Sequence, residues 1–137
     1  MPVSRGRFGA VRLRPGEDLI DGLHALRREL DVEAMAVVSC VGSLSDVVLR
    51  HAGRETGIRI EGLFEIVSLV GTIDTEGHHL HLSLSDDRGR VTGGHMMPAA
   101  TVRTTAELVV VALDDLHFAR APCAMSGYRE LVVERRT

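Results

Sequence analysis

The stretch "HHLHLSLSDDRGRVTGGH", residues 78–95, decides how this chain folds. Leu80, Leu82 and Leu84 occupy every second position, which is the period of a β-strand with one buried face. Asp86-Asp87-Arg88-Gly89 has the composition of a turn. "RVTGGHMM" (90–97) then reads as the returning partner strand. The segment is therefore an antiparallel hairpin with leucines inward and His79, His81, Ser83 and Ser85 outward.

Working outward, the same alternation or continuous apolar character recurs on both sides. "RFGAVRLRPGED" (7–18) predicts a strand ended by Pro15-Gly16, and Glu17 to Leu30 predicts the one convincing helix. Leu19, Ile20, Leu23, Leu26 and Leu30 form its apolar stripe, with acids in the first turn and arginines in the last. "AMAVVSCVGS" (34–43) predicts a strand buried on both faces and closed by Gly42. "LSDVVLRHA", "GLFEIVSLVGTI", "AELVVVALDD", "LHFAR" and "YRELVVE" complete a count of about eight strands. The expected fold class is α+β, a mostly antiparallel β-sheet with one main helix packed on it. The whole of residues 1–137 reads as a single domain, disordered only near 1–5 and 135–137.

Composition narrows the function classes. Hydrophobic residues make up 45 % of the 137 residues and aromatics only 3 %, so the core must be aliphatic. Scarce rings argue against a single-strand binder that stacks bases on aromatic platforms. The net charge is -3 and all 16 basic residues are arginine, without the basic excess a phosphate-gripping protein carries. Cys40 and Cys123 have no CxxC spacing and read as buried thiols in a reducing compartment. No apolar run reaches the roughly 18 residues of a membrane helix, and no signal peptide opens the chain. The expectation is a cytoplasmic protein.

Four of the seven histidines fall in residues 78–95. His79 and His81 are two positions apart, about 6.5–7 Å between Cα atoms on one strand face. A turn centred near Arg88 pairs residue 95 with a position near residue 81, and cross-strand neighbours approach to about 4.5–5.5 Å at Cβ. His95 thus joins the first two. Gly93-Gly94 before it signals a bulge or a close backbone approach; a bulge would re-aim His95 onto their face. Three neutral imidazoles suit zinc, iron, nickel or copper and leave a coordination position open. The alternative is a solvated strand face without a metal. His78 reads as a turn residue at the strand start and His24 as a packing residue of the helix. His51 and His117 receive no role.

At "SCVGSLSDVVLR", "GLFEIVSLVGTI", "HLHLSLSDDRGRVTGGH" and "TAELVVV" the chain resembles the PPC domain family (plants and prokaryotes conserved domain) over about residues 7–134. The resemblance implies a compact α+β homotrimer with a metal site on His79, His81 and His95. It also implies a DNA-binding or regulatory role. The chain departs from that role at "SRGRFG" (4–9), where Phe8 stands in place of the proline of an R-G-R-P hook. Cys40 stands where the family's "SGxGSLSD" pattern has a glycine, and it reads as a buried thiol or as a group near the metal. Two functions follow: a trimeric zinc-binding module associated with DNA, or a metal-dependent enzyme acting on a small molecule. In the second, Glu65 is the candidate general base, with Asp86 behind it. A purely structural metal that holds the trimer together is a third.

Overall fold

The computed structural model describes residues 1–137. Its elements run β1 (Gly6–Leu13), α1 (Leu19–Glu29), β2 (Ala34–Arg50), β3 (Ile58–Asp74), β4 (His78–Ser85), β5 (Val91–Leu113), β6 (Leu116–Pro122) and β7 (Arg129–Arg135). The protein is α+β, as expected. Five strands form a sheet in the order β1-β5-β2-β3-β4, and β5 also pairs with β4. The sheet therefore closes through β2, β3, β4 and β5, and every pairing in it is antiparallel. The hairpin of β6 and β7 forms a separate two-stranded sheet. No helix is long and apolar enough to cross a membrane.

Closure encloses an aliphatic core. Leu80, Leu82 and Leu84 are buried at 0 %, 2 % and 0 % exposure, so the alternation read from the sequence sets the inner face of β4. They pack with Leu44, Val47, Leu49, Met96 and Leu108 and with Leu19, Ile20, Leu23 and Leu26 of α1. Phe118 is the one aromatic that is buried, and it belongs to a small satellite cluster with Ala34 and Leu116.

The helix is shorter than its sequence pattern. Asp18 is not in the first turn but caps it: its carboxylate accepts from the amides of Ile20 and Asp21. Such a cap satisfies donors that the first turn leaves unpaired. The other oxygen of Asp18 accepts from the amide of Ala100, which fastens the helix start to β5.

Seven strands form rather than about eight. "AMAVVSCVGS" and "LSDVVLRHA" are one 17-residue strand, and "RVTGGHMM" and "AELVVVALDD" belong to one of 23 residues. Gly42 does not close β2. It sits mid-strand at φ 152°, where a Cβ would lie 2.0 Å from the Thr105 carbonyl oxygen. The missing side chain lets β5 come close, so a residue that reads as a stop serves the ladder instead. The ends are also tied down. Arg5 bonds Asp115, and Arg136 bonds Glu33 and the Asp31 carbonyl.

Candidate metal centre

The register of the β4–β5 hairpin sets the site. His81 pairs directly with His95, Leu82 with Gly94 and Ser83 with Gly93, without a slip. No bulge is present in this ladder, and none is needed: residues directly opposite project from the same face. The glycines serve close approach instead. A Cβ on Gly93 would meet the Leu82 carbonyl oxygen at 2.5 Å, and one on Gly94 the Arg50 carbonyl oxygen at 2.8 Å.

Three imidazoles converge as a result. Ring centroids are 4.9 Å apart for His79 and His81, 5.0 Å for His79 and His95, and 5.6 Å for His81 and His95. One nitrogen from each ring lies within 4.8 Å of the others. The Nε2 atoms of His79 and His81 are 3.2 Å apart. Two nitrogens on one tetrahedral zinc, each at about 2.0–2.1 Å, are separated by about 3.3 Å, so His79 and His81 already stand at the spacing of two ligands, and three imidazoles are a donor set that suits that ion. Burial, followed by the positive charge of Arg50, lowers the His95 pKa to about 4. Burial also lowers that of His79, with His81 next among the causes. Neutral imidazole is the form that ligates a metal.

The triad lies where two clefts meet. The larger, about 780 Å³, is lined by residues that include Arg50, His51, Arg54, Glu55, Ser68, Ser83 and the three histidines. The smaller, about 400 Å³, includes His78, Arg120, Arg129 and Glu130. Arg50, His79, His95 and Tyr128 line both. Ser68 and Ser83 share a 2.5 Å hydroxyl hydrogen bond on the wall of the larger cleft.

Glu65 is not brought to this place. It is exposed on β3 opposite Ser85 and lines neither cleft. Four residues of strand separate Ser85 from His81, roughly 13 Å. Asp86 is committed to the hairpin turn, accepting from the amides of Arg88 and Arg90 and from the Arg90 side chain. The carboxylates that do reach the clefts are Glu55, in the loop between β2 and β3, on the larger, and Glu76 and Glu130 on the smaller. Cys40 pairs with Leu108, ten residues along β2 from Arg50, and is away from the triad.

Several residues near the site had no sequence signal pointing there. His78 is the first residue of β4, not a turn residue, and its Nδ1 lies 3.0 Å from Nε2 of His24 on the helix. Burial lowers the pKa of both. His51 lines the larger cleft, whereas His117 lines neither and bonds Glu33 at 2.7 Å. Tyr128 and Glu130 arrive from the β6–β7 hairpin. That hairpin is held by Arg120, which bonds the fully buried Asp74 at 2.9 and 3.0 Å, and by Arg129 on Glu76.

Residues 2–114 match the model of the Plants and Prokaryotes Conserved (PCC) domain, most of the chain. The chain belongs to this family. It is the family whose resemblance the hairpin and its flanking strands carry. A hypothetical protein of Salmonella enterica has a solved structure similar over 99 % of both chains, at 48 % identity and a TM-score of 0.95. A metal-containing protein of Archaeoglobus fulgidus is similar over 96 % of this chain and 99 % of its own, at 26 % identity and a TM-score of 0.79. The bifunctional protein GlmU of Synechococcus sp. (strain JA-3-3Ab) is 37 % identical over 135 residues, which cover 98 % of this chain and 22 % of that protein. The PCC chain thus spans about one fifth of the length of this curated relative.

Proposed function

We propose that this chain is a metal-binding module of the PCC family. It holds a divalent transition metal, zinc before iron or nickel, on His79, His81 and His95, and assembles as a homotrimer. The observation that carries the reading is the convergence of three imidazole donors within 4.8 Å where two clefts meet. Three protein donors leave a position for an exogenous ligand, as catalytic and ligand-binding zinc sites do and closed structural sites do not. The similar protein of Archaeoglobus fulgidus is described as metal-containing, which supports the reading. Val38, Val41, Leu63, Val67 and Val70 support the homotrimer: all are more than half exposed on β2 and β3, an apolar surface that other copies would bury. The net charge of -3 gives a DNA-binding role no electrostatic support, so the proposal rests on the metal.

Metal analysis of the purified protein by mass spectrometry tests it. Near one zinc per chain is expected, and none in the variant carrying His79→Ala, His81→Ala and His95→Ala. Absence of metal from both proteins would overturn the reading.

The cleft favours a second reading, a metal-dependent enzyme acting on a small molecule. Its volume of about 780 Å³ is that of a small-molecule site. A bound zinc would supply Lewis acidity and lower the pKa of a water molecule. In this reading Glu55, on the cleft wall, stands where Glu65 was expected to act.

A further inference from the structure

Arg50 is the charged residue that the metal reading leaves without a task. It ends β2 and pairs with His95 in the β2–β5 ladder, so its side chain shares the face of the triad. It lines both clefts. Of the other arginines near it, Arg54, in the loop between β2 and β3, also lines the larger cleft without an ion pair, and the rest are taken. Arg120 is paired with Asp74, Arg129 with Glu76, and Arg59, on the neighbouring strand, with Asp46. Arg50 has no carboxylate partner, although it is partly buried beside three imidazoles that gain nothing from a neighbouring cation. It matches an anion from outside: its planar fork bonds a carboxylate or a phosphate through two parallel N–H donors.

The surroundings fit such a ligand. The Ser68 and Ser83 hydroxyls and the Tyr128 phenol line the same clefts and can donate to further oxygens. Glu55, Glu76 and Glu130 also border the two clefts, and Glu76 is neutralised by Arg129. The volume admits a small molecule.

We propose that Arg50 is the anion-binding residue of this site and that the ligand is a small carboxylate or phosphate compound, held by Arg50 at its anionic group and by the metal at a neighbouring oxygen. The proposal rests on the metal reading of the triad for the second contact only.

Titration calorimetry of the zinc-loaded protein with inorganic phosphate and, separately, with malonate tests it. Cobalt-substituted protein provides a second readout, since an anion entering the open position changes the visible absorption of the metal. Arg50→Gln is expected to weaken binding of the preferred anion at least about tenfold, the loss of a charge-assisted pair. Its zinc content and thermal midpoint should remain those of the native protein. Arg50→Lys, which keeps the charge and loses the fork, is expected to lose less. The two titrations separate a phosphate from a carboxylate site. Equal binding by Arg50→Gln and native protein would overturn the proposal, as would a native protein that binds neither anion. If the native protein takes up no zinc, the metal reading fails separately. Phosphate or malonate binding to the metal-free protein that Arg50→Gln abolishes would still support the role of Arg50.

Discussion

Cys40 and Cys123 differ in what surrounds their sulfurs, and that difference is measurable. Burial pushes the Cys40 thiol up to about 12. Hydrogen bonds from Ser126, backbone and side chain, and from the Met125 backbone draw the Cys123 thiol below its ordinary value. The thiolate is the reactive form, so at pH 8 one thiol per folded chain should react quickly with a disulfide reagent and the other should not. Cys123→Ser is expected to remove the fast phase. Raising the pH from 8 to 10 should leave Cys40 slow while the chain stays folded, because that range lies below its pKa. The sequence reading took both thiols as buried. Both are half-buried instead, and Cys40 packs against the core. Cys123 differs because a tight turn bonds its backbone amide to Tyr128 and its carbonyl to Gly127, and sets the sulfur among donors.

At the scale of elements, one buried ion pair positions the β6–β7 hairpin. Asp74 ends β3 with its side chain fully buried. One oxygen accepts from the amides of Glu76 and Gly77, and the other from Arg120. The first oxygen shapes the turn into β4, so it helps to fix where His78 and His79 begin. The second holds the hairpin that carries Tyr128 and Glu130 against the site. Asp74→Ala would leave the Arg120 charge, 13 % exposed, without its partner. It would also leave two amides without an acceptor. Removing one member of a buried pair costs about 3–5 kcal/mol, and a loss of that order is expected in urea unfolding. The β4–β5 hairpin itself was legible from period and turn composition, because both are local. The extent of β2 and β5 was not. Gly42 reads as a terminator, and only the approach of Thr105 from sixty residues away makes it a mid-strand requirement.

For the whole molecule, closure of the sheet encloses an aliphatic core and leaves Val38, Val41, Val67 and Val70 of β2 and β3 outside. If these apolar residues hold the proposed homotrimer together, the metal does not. His81→Ala should then sediment at the mass of three chains while failing to retain zinc. Dissociation of that variant into monomers would instead make the histidine site the glue. The outcome is read by analytical ultracentrifugation at fixed protein concentration, since assembly follows mass action.

Two physical rules that act within a few residues made the triad readable in advance. A strand's period of two put His79 and His81 on one face, and the turn at Asp86–Gly89 set His95 opposite His81. The sequence alone therefore determined the α+β class, the hairpin, the leucine face and the three imidazoles. Tertiary structure decided what surrounds them. Arg50 reaches the site through the β2–β5 ladder, Tyr128 through a hairpin beyond the main sheet, and His24 through helix packing onto His78. Glu65 is excluded because its register places it opposite Ser85. Those placements depend on which distant strands pair and how the sheet closes. That is a cooperative choice made by burial of the whole apolar core, and no local pattern encodes it.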